Sequence, residues 1–111
     1  MPDLIDNLAT LDRLIHEPSR LAILTALSSC QYADFLFLQR LTGLTAGNLS
    51  SHLSKLEAAG LVWVNKEIVG KRPHTTTGLT EKGRDAVVDH WKQLDQLRQQ
   101  AEEQGRQSDN A

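Results

Sequence analysis

The stretch LSSHLSKLEAAGLVWV, residues 49–64, changes its periodicity partway through, and that change limits what the whole chain can become. At about 100° per residue, Leu49, Leu53 and Leu56 fall within a stripe roughly 60° wide, the seam of a helix buried on one side only. Gly60 supplies a left-handed terminator, and the β-branched and aromatic run after it predicts a strand. Thr45 is suited to cap the helix start, giving a helix over 45–59. Opposite the leucines stand Gly47, Asn48, Ser51, Ser54 and Lys55, with Ser50 and His52 on the flanks. Serine and asparagine are poorer helix formers than glutamate, lysine or glutamine, so helix stability alone does not account for this face. Short hydrogen-bonding groups suit close approach to another polar surface.

The flanking segments complete a helical architecture. Leu4, Leu8, Leu11 and Ile15 recur at helical spacing, widened by Ile5 and Leu14, and predict an amphipathic helix over 3–16. Glu17 and Pro18 interrupt and restart the pattern, giving a second helix over 18–29 that buries Leu21, Ile23, Leu24 and Leu27. Asp34 caps a third over 34–42, with Phe35, Leu38 and Leu41 inward and Gly43 in the connection. After Gly60, LVWVNKEIV and HTTTGLT flank GKRP, which reads as a two-stranded hairpin with a basic tip. Thr80 caps a long last helix with a seam of Val87, Trp91, Leu94, Leu97 and Ala101. Residues 105–111 lack apolar groups and are expected to be a disordered tail behind a single domain spanning 1–104.

The fold class is therefore mainly α with a small β-hairpin. Helix, helix, helix-turn-helix, hairpin, helix is the order of a winged helix-turn-helix: a three-helix core and a two-stranded wing over 66–77. Its second motif helix would enter a major groove of double-stranded DNA. The net charge of −2 argues against a polyanionic partner only as a sum. Residues 1–44 carry −2, residues 45–84 carry +3 and residues 85–111 carry −3, so the basic centre coincides with the polar helix and hairpin. No run of about 18 apolar residues is present to span a bilayer, and the basic-then-apolar start of a secretory signal is absent, which predicts a cytoplasmic protein. The single cysteine, Cys30, has no internal disulfide partner and reads as a small buried apolar group.

These residues also carry a resemblance. HEPSRLAIL is similar to the (D/E)P-x-R-x-x-IL entry of ArsR-type winged-helix regulators, and TAGNLSSHLSKLEAAGLV to their S-x-x-x-(V/L)-S-x-H-L-x-x-L-x-x-A-G-L-V recognition helix. KEIVGKRPHTTTGLTEKGRDAV resembles the wing and following helix of small, stand-alone MarR-like regulators. The similarity covers about residues 14–88. One departure is Thr77-Gly78, where an aromatic often precedes the Leu-Thr pair; a glycine inside a strand is expected to weaken it. The resemblance implies a homodimeric transcriptional regulator, with a repressor the expected form. First and last helices would pair about a twofold axis through Leu4, Leu8, Leu11, Trp91, Leu94 and Leu97.

Functional expectations follow residue by residue. Thr45, Gly47, Asn48, Ser50, Ser51, Ser54 and Lys55 are candidate DNA contacts on the helix, and Lys71, Arg72 and His74 on the wing. His52 stands at the edge of the leucine seam, where an intramolecular hydrogen bond competes with a DNA contact, and Ser50 could instead bond back to its own helix. Trp63 and Trp91 read as core or interface residues. Metal-sensing relatives carry a Cys-x-Cys pair or an Asp/His set; here the corresponding run is DFLFLQRL, and Asp89-His90 has no second histidine downstream. No metal site and no cofactor are expected. Ser51 and His52 diverge by about 100° on the helix and cannot form a nucleophile-base pair, so no enzymatic activity is expected. A protein-interaction module and a regulator responsive to a small-molecule effector remain alternatives on the same fold.

Overall fold

The computed structural model describes residues 3–9 and 11–109. Helices α1 (Leu4–Ala9), α2 (Pro18–Ser28), α3 (Phe35–Thr42), α4 (Ala46–Ala58) and α5 (Glu81–Asp109) are joined by strands β1 (Ala33–Asp34), β2 (Val62–Val69) and β3 (Arg72–Leu79). Ile23, Leu24 and Leu27 of α2, Leu38 of α3, Leu49, Leu53 and Leu56 of α4, and Val87 of α5 form one continuous core with Leu61, Val62 and Leu79 of the sheet base. Each buried leucine contributes about 1.5–3 kcal/mol and each cap about 1 kcal/mol, so the seam holds α4 in place and the caps set where it starts.

Local chemistry places the helix starts where the sequence predicts them. The Asp34 side chain accepts from the Phe37 amide at 2.7 Å and the Thr45 hydroxyl from the Asn48 amide at 3.1 Å. Glu17 caps α2, accepting from the Arg20 amide at 2.8 Å. The Thr80 hydroxyl accepts from the Gly83 amide and donates to the Gly60 carbonyl, tying α5 to the end of α4. Lys82 Nζ donates to the Ala59 carbonyl at the same place, and Gly60 has φ +77.

Three helices depart from expectation. The first helix stops at Ala9 instead of running to 16. Past Thr10, which lies outside the described residues, Asp12 forms its own turn: its side chain accepts from Leu14 N and its carbonyl from His16 N. Such local bonds compete with a helix. Leu41 of α3 is 58% exposed, and only Leu38 of the three predicted inward residues is fully buried. In α5 the core position next to Val87 belongs to His90, 2% exposed, while Trp91 is 47% exposed. The helix continues to Asp109 in place of a tail disordered from 105, because Glu, Gln and Arg sustain a helix already nucleated; Asn110 and Ala111 lie outside the described residues.

The sheet has three strands in the order β1-β3-β2, all antiparallel. Two residues before α3, Ala33 and Asp34, pair with Thr77 and Thr76 and bind the helical core to the wing. The hairpin turn is tighter than GKRP suggests: only Gly70 (φ +55) and Lys71 (φ +70) lie outside the strands, the paired positive φ of a type I′ turn. Pro73 is opposite Ile68, beyond the reach of β1, where no second ladder needs its amide. The space beside Gly78 is already taken. A Cβ there would come within 2.7 Å of the Trp63 ring and of the Gln31 carbonyl, so the indole of the facing strand occupies the space a side chain would fill.

Candidate nucleic-acid interface

Helix α4 divides sharply between its two sides. Leu49, Leu53 and Leu56 are 0%, 3% and 0% exposed, whereas Thr45, Gly47, Asn48, Ser50, Ser51, Ser54 and Lys55 are all exposed. The Thr45 hydroxyl already accepts the cap bond. Ser50 and Ser54 lie on the side of α4 toward the wing, lining a groove of about 300 Å³ with Phe35, Glu57, Val64, Lys66 and Thr75.

Strand register decides what the wing presents. Paired residues share a face, so Val64, Lys66 and Ile68 stand with Thr77, Thr75 and Pro73 on the face toward α4. Trp63, Glu67 and Val69 stand with Gly78, His74 and Arg72 on the other. The three wing candidates are exposed but do not form one patch: Lys71 occupies the apex of the turn, while Arg72 and His74 lie on the face away from α4. Lys66, absent from the sequence-based set, is the wing cation beside the α4 groove. Period-two alternation back from the turn could have identified it. Among the described residues none of Lys55, Lys66, Lys71 and Arg72 has an ion-pair partner.

His52 is the exception on α4. It is half-buried, and its Nδ1 faces Arg20 Nη1 at 3.2 Å, with Glu17 Oε2 4.0 Å away. A guanidinium only donates, so Nδ1 accepts and is unprotonated in this arrangement. Of the two roles expected for His52, the intramolecular hydrogen bond is the one this geometry displays, and it is made through Nδ1. Arg20 and Glu17, its partners, belong to the HEPSR segment, whose chemistry gave no sign of reaching α4.

The interfacial candidates on the first and last helices also differ from one another. Leu8 is 46% and Trp91 47% exposed, Leu4, Leu94 and Leu97 are half-buried, and Leu11 is 5% exposed within its own protomer, so it has no surface to give a partner. Trp91 also borders a shallow apolar groove with Pro18, Leu21, Ala22 and Leu41. Among the described residues no three His, Cys, Asp or Glu side chains converge to hold a metal ion, and no helix is long and apolar enough to cross a membrane.

A trihelical core presenting an exposed Ser/Asn-rich helix beside a hairpin with unpaired cations defines a winged helix-turn-helix DNA-binding protein. The chain belongs to the winged helix DNA-binding domain family, which it matches over residues 19–98. It is 34% identical over 85 residues to an uncharacterized protein of Methanocaldococcus jannaschii, covering 77% of this chain and 92% of that one. The structure of a transcriptional regulator homologue from Pyrococcus horikoshii OT3 superposes with a TM-score of 0.78 at 29% identity, over 91% of this chain and 98% of that one. A MarR family regulator from Silicibacter pomeroyi shares the fold at 20% identity, with a TM-score of 0.62 over 88% of this chain and 65% of that one. The protein is thus a winged-helix DNA-binding protein whose fold is similar to that of transcriptional regulators.

Proposed function

We propose that this protein is a homodimeric, sequence-specific repressor of transcription, acting in the cytoplasm and without enzymatic activity. Helix α4 would lie in the major groove and the wing on the adjoining backbone or minor groove. The observation that carries the reading is the exposed face of α4, where short hydrogen-bonding side chains stand beside cations that form no ion pair among the described residues. Asn48 offers the donor-acceptor pair that suits adenine N6 and N7, while Ser51 can reach neighbouring base edges. Lys55, Lys66, Lys71 and Arg72 suit phosphates, which fix register without reading sequence.

The two roles separate in a titration. On a duplex selected by the wild-type protein from a random pool, Asn48→Ala should cost about 1–3 kcal/mol, with binding to unrelated duplexes unchanged. Replacing Lys71 and Arg72 with alanine should weaken every duplex alike and reduce the slope of log K against log salt by about 1.8, at roughly 0.9 per lost phosphate contact. If neither change alters affinity, this face is not the DNA surface. Repression is read separately, from a reporter placed downstream of the selected operator.

A further inference from the structure

The guanidinium of Arg20 reaches two parts of the chain that have different tasks. Its Nε donates to the Leu14 carbonyl at 2.6 Å and its Nη2 to the Arg13 carbonyl at 3.4 Å. Its Nη1 donates to His52 Nδ1 on α4 at 3.2 Å. Glu17 holds the arrangement from below: its Oε2 accepts from the Arg20 amide at 2.8 Å and lies 3.8 Å from Nη1. The Arg20 side chain is 14% and that of His52 18% exposed, so water competes weakly for these bonds.

What this does follows from what the leucine seam leaves undone. Leu49, Leu53 and Leu56 fix where α4 lies, but apolar contact is non-directional and a stripe of about 60° resists rotation about the helix axis only weakly. A hydrogen bond on the flank of the helix is directional and does resist it. Its other anchor, the 13–14 segment, leads to α1, which packs along α5 and donates from Asn7 Nδ2 to Gln100 Oε1. Arg20 thus joins the helix that faces DNA to the arm formed by α1 and α5.

We propose that Arg20, acting through His52, is a positioning residue that sets the orientation of α4 against the α1–α5 arm and so determines which half-site spacing the dimer accepts. The inference rests on the homodimeric reading above. Each inserted base pair turns one half-site by roughly 35° and shifts it about 3.4 Å relative to the other, and a rigidly held pair of helices cannot follow. A loosened pair can.

The test uses the full chain and the duplex recovered by the wild type, with versions carrying one or two base pairs added or removed between half-sites, and a duplex holding one half-site. Wild type should prefer the native spacing by about tenfold or more, the scale of a mismatched site. Arg20→Lys keeps the charge but loses the planar fork; its affinity for the single half-site should stay within about twofold while its spacing preference falls to less than about a third of the wild-type ratio. His52→Leu should lose the preference likewise, and His52→Gln, whose amide oxygen accepts from Nη1, should retain it. Circular dichroism melts identify folded variants, and if Arg20→Lys unfolds, the His52 pair decides alone. Unchanged spacing ratios in Arg20→Lys and His52→Leu overturn the proposal. So does equal loss in His52→Gln and His52→Leu, or a uniform loss on every duplex, which marks a merely structural contact. A wild type indifferent to spacing removes the dimeric reading itself, a different failure from wild-type preference surviving in the variants.

Discussion

His90 is a buried histidine with one ring nitrogen facing His16 Nδ1 at 3.4 Å and the other, Nδ1, without a hydrogen-bond partner among the described residues. Burial lowers its pKa below the ordinary 6.5, the nearby His16 lowers it further, and Asp12 opposes both. The unfolded chain therefore takes up the proton more readily than the native one. Stability is fully present above about pH 6.5 and is lost as pH falls from there toward the native pKa. Thermal melts across that range should show the decline, and His90→Leu should flatten it; an equally steep fall in the variant would place the titrating group elsewhere. At the base of α5, a Cβ on Gly83 would collide with the Leu61 carbonyl, which is backbone and cannot swing aside. Gly83→Ala should destabilise by about 2 kcal/mol or more in chemical denaturation. Residues such as His90 were illegible in the sequence because His90 and Trp91 flank the direction of Val87 on either side, at about −60° and +40°, and only packing decides which of the two turns inward.

At the scale of elements, caps and breaks were legible and partners were not. Asp34, Thr45 and Thr80 start their helices through bonds to amides three residues on, and Pro18 starts α2 by its fixed φ at the first helical position, information held entirely in local sequence. Strand β1 carries no signal in two residues, Ala33 and Asp34; it exists because Thr76 and Thr77 arrive beside it from more than 40 residues away. The wing was expected as a hairpin, yet its turn is two residues long and places a lysine at positive φ. That strain separates folding from binding. Lys71→Gly removes the side chain and relieves the backbone, so it should leave stability equal or higher by about 0.5–1 kcal/mol. The same change should lower the salt slope of DNA binding by about 0.9. Denaturant titration and salt-dependent anisotropy on one preparation check both, and a drop in stability with an unchanged slope would show Lys71 to be a folding residue only.

The whole molecule measures 69 × 24 × 21 Å with a radius of gyration of 17.7 Å, against about 13 Å for a compact domain of this length. The excess comes from α5, whose 29 residues extend along α1 beyond the core. Ile5 (77% exposed) and Leu8 on α1, with Val88 and Trp91 on α5, are apolar groups that this arm leaves in water. Covering them with a second copy is the simplest arrangement that also brings two α4 helices to one duplex, about 34 Å apart. Sedimentation at micromolar concentration should give a dimer, and replacing Leu8 and Trp91 with serine and glutamine should shift it toward monomer and weaken DNA binding together. A monomeric wild type would remove this arrangement.

Sequence alone determined the period of most segments, where α2, α3, α4 and α5 begin, and the division of α4 into an apolar seam and a hydroxyl- and amide-bearing face, because all three depend on residues a few positions apart. Tertiary structure decided that His52 turns to Arg20, that Lys66 and not Arg72 or His74 shares the wing face toward α4, and that Trp63 fills the space above Gly78. Those outcomes depend on register and on the meeting of segments distant in the chain, and a linear pattern holds the candidates for such meetings without ranking them.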